Sequence, residues 1–114
     1  MTTSDSILQR AWEARVQRGE FSSSVLGIGI IRVMGRSGDA SVAFPRMASL
    51  DALPGLEADE QWAVREAEAI VQQAQRENRA VFDTSAGQIE DARRVTSFEP
   101  SAATLMVVAR IAGG

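Results

Sequence analysis

The sequence predicts an α+β domain, a mixed β-sheet crossed on one face by one long helix and preceded by a short helical extension. Three features carry that expectation. The globular part opens and closes with apolar runs rich in β-branched residues, at residues 25–34 and 104–109. One stretch between them, residues 57–78, holds a sustained helical period. The segments left over are short, strand-like and separated by turn residues. Runs that are apolar on both faces belong in the interior of a sheet, so the first and last strands should both be central. Two central strands from opposite ends of a chain pair most simply in parallel. A single helix cannot cover both sides of a sheet and should lie across one of them.

The elements follow in chain order. Residues 4–18 read as a short helix, with Ser4 or Asp5 to cap its start and Gly19 to end it. Leu8, Ala11, Trp12, Arg15 and Val16 fall at helical spacing and make a narrow apolar stripe. Two readings stand side by side: a helix packed on its own domain or a partly ordered tail, and an arm that docks on a partner or a second copy through Trp12, with Leu8 beside it. Residues 20–24 are a polar linker, so residues 1–24 form an N-terminal extension.

Residues 25–34 (VLGIGIIRVM) are the first strand. Gly27 and Gly29 do not complete a G-x-G-x-x-G dinucleotide fingerprint, because no third glycine and no helix follow, so they read as close-packing positions. Residues 35–39 (GRSGD) supply a hairpin turn, and residues 40–47 (ASVAFPRM) return. Pro45 cannot donate to a ladder, which places this strand at an edge or ends it there. Residues 51–56 (DALPGL) read as a loop. In the long helix, Glu57, Asp59 and Glu60 suit the positive end of the helix dipole. Ala63, Val64, Ala67, Ile70, Val71 and Ala74 form its apolar face, and Asn78 can close it. Residues 79–84 (RAVFDT) and 93–99 (RRVTSFE) read as two shorter strands around a polar loop, and Pro100 breaks the chain before the last strand.

Composition narrows the function. The chain has 114 residues, 45% apolar and 24% charged, enough for one domain with a core. A formal charge of −3 argues against a nucleic-acid partner, which would call for a basic face. No apolar run approaches membrane-spanning length, and the N-terminus (MTTSDSILQR) lacks a signal-peptide pattern; the expectation is a cytoplasmic protein with no membrane partner. There is no Cys and no His, which removes thiol nucleophiles, disulfides, Ser-His-Asp triads and the usual zinc sites. No Asp/Glu spacing suggests a metal loop. The expectation is a chain that is not an enzyme, with no catalytic residue, no metal and no bound cofactor. All 12 basic residues are Arg, so there is no Lys.

The element order of hairpin, long helix, two short strands and a last central strand is that of a β-grasp domain. The end of the chain adds residue detail. Residues 104–114, TLMVVARIAGG, resemble the end of ubiquitin, which also closes with Thr-Leu, an apolar strand, an arginine and Gly-Gly. The chain resembles a ubiquitin-like protein of bacterial type, with residues 25–109 as the β-grasp domain and 110–114 as an exposed, mobile tail. The hairpin is longer than ubiquitin's, residues 1–24 are extra, and the lysines on which ubiquitin chains are built are missing.

The resemblance implies that Leu105 and Val107 face the core, while Met106 and Val108 face outward. Arg110 would be read by an activating enzyme, with Ile111, Met106 and Val108 beside it, and Gly113 and Gly114 would be the conjugating tail. It implies ATP as the activating enzyme's substrate. It also implies a conjugating enzyme and a deconjugating protease as further partners, and a homo-oligomer is open through the N-terminal segment.

Such chemistry explains the residues. A free α-carboxylate has a pKa near ~3.5 and is a poor electrophile at neutral pH, so another protein must activate it as an acyl adenylate. Glycines, lacking a Cβ, pass through a narrow channel where other residues clash. Three readings remain open on sequence alone: a conjugated modifier, a sulfur carrier whose tail becomes a thiocarboxylate, and a non-conjugating β-grasp interaction module.

Overall fold

Residues 3–35, 38–87 and 89–108 are described in a computed structural model of the chain. They form α1 (Thr3–Arg18), β1 (Gly27–Gly35), β2 (Gly38–Arg46), α2 (Ala58–Arg76), β3 (Val81–Asp83), β4 (Arg93–Val95) and β5 (Thr104–Val107). Short 3-10 turns occupy Leu50–Gly55, expected to be plain loop, and Ile89–Asp91. No helix among the described residues is long and apolar enough to cross a membrane.

The strands make one five-stranded mixed sheet in the order β2-β1-β5-β3-β4. The first and last strands are parallel neighbours in its middle, with Ile31 opposite Leu105 and Val33 opposite Val107, as their two-sided apolar character requires. β2 and β3 flank this pair, each antiparallel to its neighbour. β2 lies at the sheet edge and carries Pro45, as the missing donor of proline demands.

α2 crosses one face. Its Val64, Ala67, Val71 and Ala74 are buried with Ile31 and Phe44 from the hairpin, Leu105 and Val107 from β5, and Val81 and Val95 from β3 and β4. Each of the valine, isoleucine, leucine and phenylalanine side chains contributes about 1.5–3 kcal/mol when fully buried. Gly29 shows why one of the hairpin glycines is needed. A Cβ there would lie 2.3 Å from the Phe44 ring and 2.7 Å from the Ala102 carbonyl oxygen. The ring therefore lies over bare backbone, and Phe98 meets it edge-on at 5.3 Å.

Both ends of α2 are closed by named groups. At the start the Glu57 N–H donates to the Glu60 carboxylate at 3.0 Å. At the end Asn78 takes a left-handed φ of 58°. Its N–H donates to Gln75 O at 3.1 Å, and the Arg79 N–H donates to Ala74 O at 2.8 Å. That pair of bonds is a Schellman motif and fixes the chain on its way into β3.

Of the two readings of the N-terminal helix, the packing seen is the one on its own domain. Trp12 is 4% exposed, and its Nε1–H donates to the Ala43 carbonyl of β2 at 3.1 Å. Phe21 stands 6.0 Å from its ring. The indole of Trp12 is enclosed in this packing, and Leu8 is half-buried. Trp12→Ala should therefore lower the unfolding free energy of the isolated chain by about 2–3 kcal/mol, the low side for a buried aromatic because the site lies at the sheet edge and can partly collapse. Urea unfolding measures it, and a loss below about 0.5 kcal/mol, the range of ordinary surface changes, would return Trp12 to the docking reading.

Candidate functional site

Of the residues that the sequence singles out for the tail reading, Met106 and Val108 are described, at the end of β5. The strand alternates, so Leu105 and Val107 are buried beneath α2 while Met106 and Val108 are half-buried. Leu105 and Val107 thus face the core as expected. By register Met106 lies between Arg32 of β1 and Phe82 of β3, and Arg94 of β4 stands opposite Phe82. Side chains of that row share the face turned away from α2. Met106 and Phe82 form its apolar centre, and the exposed Arg32 and Arg94 bracket them. Arg32 reaches Asp39 at 3.7 Å, both half-exposed, a pairing worth little in water.

Val108 is held by both of its backbone polar groups. Its N–H donates to Ala80 O at 3.0 Å, and its carbonyl accepts from Arg79 Nε at 3.0 Å. The same Arg79 side chain donates to the Met34 carbonyl, at the end of β1. Glu77 stands 3.7 Å from the guanidinium. The sequence reading missed Arg79, which it took only as the start of a strand. The one signal available was its position directly after the Asn78 cap. Arg110, Ile111, Gly113 and Gly114 lie outside the described residues.

A second charged cluster lies at the opposite end of α2. Arg15 of α1 grips Asp59 in a bidentate pair at 2.7 and 3.0 Å. Glu60 is fully buried and accepts from the Ser22 N–H at 2.9 Å, the Ser22 hydroxyl at 2.5 Å and the Glu57 N–H at 3.0 Å. Burial pushes both carboxyl groups up. For Asp59 the Arg15 bonds and charge outweigh it, and for Glu60 the Ser22 and Glu57 donors and Arg15 do, so both end below the ordinary carboxylate range. The cluster ties α1 and the linker to the helix start.

It has a pH consequence. A carboxyl group whose folded pKa is depressed contributes stability that is complete above its unfolded pKa, near ~4, and is lost as pH falls through the folded value. The urea midpoint should be level from about pH 7 to 5 and fall below about pH 4. Glu60→Gln should lower the neutral-pH midpoint and flatten that acid limb; an acid limb as steep as that of wild type would remove Glu60 from the account.

Among the described residues no group of three or more His, Cys, Asp or Glu is placed to hold a metal ion. Comparisons with models of protein families, with curated proteins and with solved structures gave no match.

Proposed function

We propose that the chain is a ubiquitin-like modifier with a β-grasp domain, whose C-terminal Gly114 is adenylated by an activating enzyme and then joined to amines of target proteins. The observation that carries the reading is the course of the last strand. β5 runs parallel to β1 at the centre of a β2-β1-β5-β3-β4 sheet with a helix across one face. It then leads through Val108 into the sequence Ala-Arg-Ile-Ala-Gly-Gly. Strand order, parallel central pair and covering helix are compatible with a β-grasp arrangement and support the reading. The row of Met106, Phe82, Arg32 and Arg94 supports the reading, because it offers the enzyme an apolar, arginine-flanked face that includes the last strand.

In the reaction the Gly114 carboxylate attacks the α-phosphorus of ATP and expels pyrophosphate. An amine, directly or after transfer through a thiol of a conjugating enzyme, then attacks the acyl carbon. The amide forms, and AMP or the thiol departs. The chain supplies the acyl group and no catalytic side chain, which suits a sequence without Cys or His. A protease that cleaves such amides would reverse the step. Without lysine the chain can extend on itself only through its N-terminal amine or a hydroxyl.

Mass spectrometry of the native cell tests this. Trypsin cuts after Arg110 and would leave an Ile-Ala-Gly-Gly remnant on the acceptor amine. A C-terminal peptide with one sulfur in place of one oxygen would mean a sulfur carrier instead. An untouched acid in every fraction would overturn both and leave an interaction module.

A further inference from the structure

We propose that Arg79 is a positioning residue for the C-terminal tail: its guanidinium, by holding the Met34 and Val108 carbonyls together, fixes Val108, the residue after which the sequence continues into 109–114. This rests on the conjugation reading above. The geometry begins with the parallel pair. β1 and β5 run in the same direction, so both end at one edge of the sheet, with Met34 next in line beside Val108. Backbone carbonyls at strand ends need partners from elsewhere. One guanidinium serves both, because its planar fork of N–H donors can reach two acceptors at once, which a lysine ammonium does not match in geometry.

The arginine is itself fixed. Its backbone N–H is bonded into the end of α2, so the side chain starts from a set place and direction. Glu77 at 3.7 Å adds a counter-charge, and the Arg79 side chain is only 17% exposed. Ala80, the next residue, accepts the Val108 N–H. Two consecutive residues after the helix thus take both polar groups of the residue from which the tail departs. β5 itself is only four residues long. A strand that short, gripped at its end, keeps a defined exit; without the grip it opens from that end first. The carboxylate must meet ATP in another protein's site, so the anchorage of Val108 bears on catalysis, although Arg79 touches no reacting atom.

The experiment compares wild type, Arg79→Met and Arg79→Lys in the full chain. Amide hydrogen exchange reads the clasp, and the Ile-Ala-Gly-Gly remnant, normalised to folded protein in the native cell, reads its use. In Arg79→Met the Val108 amide should exchange about tenfold faster while Ile31 and Val71 keep their protection. Remnant yield should fall about tenfold, the loss that a small misplacement of a reacting group produces. Arg79→Lys, with a single ammonium in place of the planar fork, should recover part of each. An unchanged Val108 amide, or a wild-type remnant yield in Arg79→Met, would overturn the proposal. So would loss of Ile31 protection, which would make Arg79 a support of the whole sheet. No remnant and no thiocarboxylate in wild type would fell the conjugation reading and the tail role with it. That result is distinct from a remnant that is present in wild type and undiminished in the variant.

Discussion

Leu105→Ala is expected to cost about 4 kcal/mol of unfolding free energy, in the upper part of the range for a buried leucine. Leu105 is fully buried and lies in the central strand, opposite Ile31 on one side and Asp83 on the other. Above it is α2, whose Ala67 and Val71 are fully buried in the same core. Both strand neighbours are held by ladder bonds and the helix by two closed ends, so the site cannot collapse around a cavity. A domain of this size has a total stability of roughly 6–17 kcal/mol, so the substitution removes a large share of it. Urea unfolding should show a lowered midpoint at unchanged slope. Met106→Ala on the same strand is the internal control. Its side chain is half-buried on the opposite face and should cost less than half as much. Equal losses from the two substitutions would mean that the strand is not seated as described.

The parts of the fold that were legible in the sequence are those decided by local chemistry. Residues 25–34 and 104–109 are apolar on both faces, and only a central strand accepts that. Pro45 demands an edge, and β2 is one. The period of α2, with acidic residues before it and Asn78 after it, located the helix to within two residues at either end. What was not legible depends on partners far along the chain. Trp12 bonds a carbonyl 31 residues away, and Arg15 pairs with Asp59 across 44 residues, so nothing near residue 12 tells a packed helix from a docking arm. β4 stops at Val95, shorter than residues 93–99 suggest, because it pairs only with a three-residue β3. Phe98 then turns inward to the Phe44 ring instead of continuing a strand. At the candidate site, the facing of Leu105 and Met106 followed from alternation. Arg79 did not, since its acceptors are backbone carbonyls 29 and 45 residues away, and a carbonyl has no sequence signature.

On the conjugation reading, deleting Gly114 should abolish acyl transfer from the tail and leave the fold intact. The buried apolar residues among those described run from Trp12 to Val107, and a glycine has no side chain to add to such a core. The melting temperature should stay within the scatter of wild type. At Val108 the chain is held by Arg79 and Ala80. Six residues in extended form reach roughly 20 Å from that point, and removing one withdraws the carboxylate by about 3.5 Å. A misplacement of even ~1 Å at a reacting centre costs on the order of a hundredfold in rate, so a shift several times larger takes the carboxylate out of line with ATP. The new terminus is still a glycine, Gly113, so the loss would arise from reach and not from the kind of residue. Gly114→Val makes the complementary test: it keeps the length and adds a branched Cβ that a channel fitted to bare backbone rejects. Both variants should carry no Ile-Ala-Gly-Gly-type remnant and no thiocarboxylate in the native cell, while circular dichroism and melting match wild type. If the Gly114 deletion is conjugated as well as wild type, leaving an Ile-Ala-Gly remnant in equal amount, the activating site does not measure the tail from the domain. The conjugation reading would then survive without the clasp. If wild type and both variants alike show only a free acid, the Gly-Gly end is no acyl donor, and the domain acts through its faces alone.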